Sequence, residues 1–169
     1  MKKLSLFIFV AAAILVAGGF ASSRLFNASA SSTEAVAKPA CPDREFGHIR
    51  SLTQRGDNFE LRFDPAWFLS GATASRAALE DTGSSDVPND NYVVEEGHRA
   101  LTYIVPATAH ISVLTRGAAL DRGTAITVAQ LSQLVKGERP VELFESLESG
   151  VWIQFRIDTV CSLAQQYRP

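Results

Sequence analysis

The sequence predicts an α+β fold that is mainly β: a small antiparallel barrel, closed or half-closed, with two short helices plugging its openings. Three observations predict it. Apolar and polar residues alternate with period two, as when Phe59, Leu61 and Phe63 interleave with Glu60, Arg62 and Asp64; such alternation marks a half-buried strand. Polar turn residues recur at hairpin spacing. Only two stretches carry a helical period. An open antiparallel sheet with both helices on one face satisfies the same pattern and stands as the alternative.

The chain begins with Met1-Lys2-Lys3, followed by an apolar run from Leu4 to Ala21 broken only by Ser5. A positive start before an apolar core is the grammar of an export signal. Residues 1–21 are therefore expected to act as a signal peptide or a retained membrane anchor. Gly19-Phe20-Ala21 and Ala28-Ser29-Ala30 both offer the small residues a signal peptidase needs, and both processing routes stay open. Residues 22–40, rich in Ser and Ala, read as a linker, and residues 41–169 as a single β-rich domain. The expected address lies beyond the cytoplasmic membrane: secreted, periplasmic or anchored on its outer side, with the membrane touched only through the N-terminal segment.

Composition narrows the partners. The formal charge is -2, and losing Lys2 and Lys3 with the leader would take it to -4. A mildly acidic domain has little attraction for phosphate backbones, so no nucleic-acid partner is expected. The chain's two cysteines, Cys41 and Cys161, lie near the ends of the domain in a chain bound for an oxidising compartment. They are expected to form a disulfide closing a loop of roughly 120 residues, worth on the order of 4–5 kcal/mol.

From Pro42 the elements follow in order. Gly47 to Leu52 and Asn58 to Phe63 flank the polar turn Gln54-Arg55-Gly56-Asp57, with glycine where positive φ is needed. Arg55-Gly56-Asp57 also spells the integrin-recognition tripeptide, but a polar β-turn uses those residue types anyway. Asp64-Pro65 is expected to break the strand and Trp67-Phe68-Leu69 to form an apolar plug. Ala72 to Glu80 predicts a helix capped by Ser70 or Thr73 and stopped near Gly83. Tyr92 to Val94 and Leu101 to Val105 predict a strand pair joined through Glu95-Glu96-Gly97-His98. His110 to Thr115 is β again. Thr127 and Gln130 make a capping box before the stripe Val128, Leu131, Leu134 and Val135, and Gly137 suits the helix end. Val151 to Ile157 closes the order β-β-α-β-β-β-α-β.

Phe63-Asp64-Pro65-Ala66-Trp67, Pro88-Asn89-Asp90 and Ile157-Asp158-Thr159-Val160 resemble phrases in uncharacterised bacterial exported small β-rich proteins. The resemblance implies an exported β-rich domain and assigns no activity.

Chemistry is sparsely signalled. The oxygen-rich loop Asp86, Asn89, Asp90, Asn91 misses calcium-loop spacing, and His48, His98 and His110 are too scattered for zinc. No cofactor or metal is expected, and no nucleophile elbow is present. Asp64 and Asp158 at strand ends could share a proton across a barrel mouth. Trp152 and Arg156 share the polar face of the last strand, the residue types that dominate binding hot spots. Trp67, Tyr92 and His98 complete the candidate binding residues, His98 lying in a turn with Glu95, Glu96 and Arg99 around it. Trp152 packing beneath the second helix is the competing placement. The expected function is a non-enzymatic extracytoplasmic module binding a protein or a small ligand. An envelope hydrolase using Asp and His, and a structural or inhibitory envelope protein, are the alternatives.

Overall fold

The computed structural model describes residues 41–95, 97, 99–117 and 123–168. All belong to the unit Ala37–Pro169; the expected leader and linker lie outside them. Eight strands and two α-helices follow in the order β1 (Asp43–Arg55), β2 (Asn58–Ser70), α1 (Gly71–Thr82), β3 (Asn91–Glu95), β4 (Leu101–Pro106), β5 (His110–Val113), β6 (Thr124–Ile126), α2 (Val128–Val135), β7 (Val151–Arg156) and β8 (Thr159–Gln165).

The fold is mainly β, and its sheet is ring-like. β1 pairs with β2 and with β7, β7 with β8, and β2 with β4, all antiparallel. β4 then meets β8 at Ile104↔Thr159, in parallel. β5 also runs parallel to β8, with β6 beyond it. The expected purely antiparallel sheet is thus corrected at β8, where one strand ends the hairpin from β7 and begins a parallel edge. Inward positions fill the core: Leu61 and Phe63 from β2, Tyr103 and Val105 from β4, Val151 and Ile153 from β7, Val160 and Leu163 from β8.

The two helices do different work. Thr127 and Gln130 form the reciprocal capping box, which starts α2 where the sequence puts it. Val128 and Leu131 enter the core, and the buried Ser132 hydroxyl donates to the Leu52 carbonyl at 2.9 Å, tying α2 to β1. α1 ends as expected at Gly83, whose φ of 78° only glycine adopts freely. It does not plug the ring: it packs on β3 and β2, burying Ala74 and Ala78.

Three local expectations are corrected. β2 runs through Asp64-Pro65 rather than stopping there. Pro65 falls between Phe63, the last residue paired with β4, and Ala66, the first paired with β3. On that flank no ladder bond needs its missing N–H. Trp67-Phe68-Leu69 is therefore strand, not plug. Finally, β3 and β4 do not pair with each other; they succeed one another along the same edge of β2.

Two irregularities each re-aim one side chain. Between Ile49 and Ser51 the register with β2 shifts past Arg50, whose guanidinium meets Asp64 across the strands. Opposite Gln154 and Phe155, β8 shifts past Cys161, which bonds to Cys41 with the Cα atoms 6.4 Å apart. Both are the effect of one extra residue in a strand.

Candidate functional site

A groove of about 970 Å³ opens where β1 and β2 part. Their pairing runs up to Phe46↔Ala66. Past that point Asp43–Glu45 continue against β7 alone, and Trp67–Ser70 against β3 alone. The edges that faced each other along the shared ladder are left without a strand partner among the described residues.

Strand alternation gives the groove two sides. Phe46, Phe68 and Trp152 point away from the ring's interior and pack together, with ring centroids 5.1 Å (Phe46–Phe68), 5.2 Å (Phe46–Trp152) and 5.8 Å (Phe68–Trp152) apart. The Arg44 guanidinium lies 3.9 Å above the Trp152 ring, a cation–π contact. The indole N–H donates to Gln166 Oε1 at 2.7 Å, which fixes the ring's orientation. Behind this cluster, Arg50 Nε donates to Asp64 Oδ2 at 2.8 Å. His48 Nε2 lies 2.8 Å from Glu95 Oε1, within ion-pair reach but without hydrogen-bond alignment.

The other side is the mouth of the ring, formed by Asp43 and Glu45, Pro65 and Trp67, Leu101 and Phe155. Tyr103, buried in the core next to these residues, has its ring 4.9 Å from that of Phe155 and its hydroxyl donating to Glu45 Oε2 at 2.8 Å. Burial first, then that hydrogen bond and the charges of Glu45 and Asp43, hold the Tyr103 phenol well above its usual range. The mouth is thus electrically negative and largely apolar. Among the described residues no cation pairs with Asp43 or Glu45. Trp67 stands 57% exposed at its rim.

No known protein family, curated protein or solved structure matches the chain.

Of the residues singled out from sequence, the structure brings Trp67 and Trp152 to one groove. Trp152 is half-buried in the outward aromatic cluster rather than packed beneath α2. Tyr92 sits on β3 outside the groove lining, its hydroxyl donating to Asp81 Oδ2 at 3.3 Å. Arg156 is exposed at the end of β7, also outside the lining. His98 lies outside the described residues. Cys41 and Cys161 stand at disulfide distance, as expected. Asp64 and Asp158 do not form a pair: Arg50 holds Asp64, and Asp158 accepts the Thr159 hydroxyl at 3.1 Å. Among the described residues no three His, Cys, Asp or Glu side chains converge as metal ligands. No described helix is long and apolar enough to cross a membrane.

Sequence reasoning missed Asp43, Arg44, Glu45 and Phe46 because it began the first strand at Gly47. No local signal marks them: Asp43, Arg44 and Glu45 are all charged, and it is the pairing with β7 that makes them strand.

Proposed function

We propose that the chain is exported and works beyond the cytoplasmic membrane as a non-enzymatic binding module, with the groove between the parted strands as its site. Trp67, Trp152 and Arg44 are its principal contacts in this reading, and the ring is a partly open five-stranded barrel formed by β1, β2, β4, β8 and β7. The observation that carries the proposal is the convergence of both tryptophans of the chain on one apolar, charge-rimmed groove. Its volume lies within the range of ordinary ligand pockets. An exposed tryptophan beside a fixed aromatic cluster is the composition of a recognition surface. The disulfide supports the address, since such bonds persist in oxidising compartments.

Because both tryptophans line the groove, fluorotryptophan labelling places both fluorine NMR signals at the proposed site. Titrating the labelled full chain with extract of its own cell envelope should move both signals, and Trp67→Ala should weaken the binding that moves the remaining one. Signals that ignore the extract at every dilution would count against the module. Protease access in intact spheroplasts checks the address: protection of the domain there would count against export.

A further inference from the structure

We infer that the groove takes an extended peptide segment of a partner protein, added as a strand between β1 and β2, with basic residues at alternate positions. The inference rests on the groove being a binding site and goes on to name its occupant. Backbone supplies the first argument. Asp43–Glu45 and Trp67–Phe68 each keep one edge in the sheet and turn the other to the groove. An unpaired strand edge is a template for another extended backbone. Two such edges diverging from Phe46↔Ala66 frame a slot that continues the existing sheet. At ~3.3 Å per residue, about two to three residues of a guest can lie along either edge.

Charge supplies the second. A strand in this slot sends alternate side chains to opposite sides. One set faces the mouth, where Asp43 and Glu45 stand without a cationic partner among the described residues, beside Trp67 and Phe155. Lysine or arginine fits there twice over, by ion pairing and by lying on aromatic faces. The other set faces Phe46, Phe68 and Trp152, where Arg44 already covers the indole. Apolar side chains fit that side. The guest therefore reads basic, apolar, basic, apolar.

The test uses the fluorotryptophan-labelled full chain and four short peptides. These are Val-Lys-Val-Lys-Val, its counterpart with Glu for Lys, a neutral one with Thr for Lys, and the basic peptide N-methylated along one edge. The inference expects the basic peptide to move both signals, the acidic one to move neither, and the N-methylated one to bind at least about tenfold more weakly. Asp43→Asn and Glu45→Gln should each weaken the basic peptide about fivefold, an effect that shrinks with added salt. The Glu45→Gln variant retains an acceptor for Tyr103, so its fold is preserved.

Equal binding of the basic and N-methylated peptides would overturn strand addition while leaving the groove as a site. Equal binding of the acidic or neutral peptide would overturn the basic pattern. Signals that move with protein concentration alone would assign the slot to a second copy and overturn the inference. If envelope extract moves the signals and no peptide does, the inference falls and the binding module stands; if nothing moves them, both fall.

Discussion

Ile157 occupies a position that chemistry assigns to another residue. It opens the two-residue turn between β7 and β8 with φ of 59° and is 84% exposed. A β-branched side chain at positive φ is strained, and glycine is the residue such hairpin turns select. Its side chain gives almost no burial in return. Ile157→Gly should therefore raise stability by about 1 kcal/mol, read as a higher urea midpoint at unchanged slope. Tyr103 argues the opposite way. The free phenol titrates at 10.0, and the folded value is raised by burial and by Glu45. Its contribution is full below the unfolded value and is lost as pH rises through the folded one. Stability should fall in strong alkali, and Tyr103→Phe should flatten that fall while costing about 1 kcal/mol at neutral pH. Denaturant titrations at several pH values check both.

Among the elements, α2 was the most legible in the sequence, because its capping box and apolar stripe are local signals. Thr127→Ala removes the acceptor for the Gln130 amide at 3.1 Å and should cost about 1 kcal/mol, measured by thermal unfolding. The first hairpin was equally plain, since Gly56 takes φ of 61° where the turn needs it. β8 was invisible for a physical reason. Val160, Leu163 and Gln165 are buried, but Cys161 is an extra residue that breaks the period of two. A test for alternation fails across such a bulge. Buried Gln165 hid the strand further. Its side chain accepts from the Leu114 amide at 2.9 Å and donates to the carbonyls of Glu145 and Ser146 at 3.0 and 3.1 Å, so a polar residue holds a core position. The pairing of β3 and β4 was misjudged because proximity in sequence favours a hairpin. Only the length of β2, 13 residues, makes room for both on one edge. The groove was half legible. Its tryptophans stood out by type, but its strand edges arise from partner changes that no local pattern records.

At the scale of the whole molecule, the bond from Cys41 to Cys161 spans 120 positions and anchors the chain next to Pro42 and Asp43, the first residues of the groove. Replacing both cysteines with serine should cost up to about 5 kcal/mol and loosen the Asp43–Glu45 edge, read as faster amide exchange there at temperatures where the domain stays folded. The ring has its own weak point. β4 meets β8 at one residue pair, with the Ile104 amide donating to the Asp158 carbonyl at 2.8 Å, whereas β1 and β2 share a long ladder. Partial opening begins where the fewest bonds must break together. In deuterated water the Ile104 amide should exchange well before the paired amides of β1 and β2. The ring-like sheet would then breathe along that suture, unrolling and reclosing, while its long hairpin holds shape as the rigid spine.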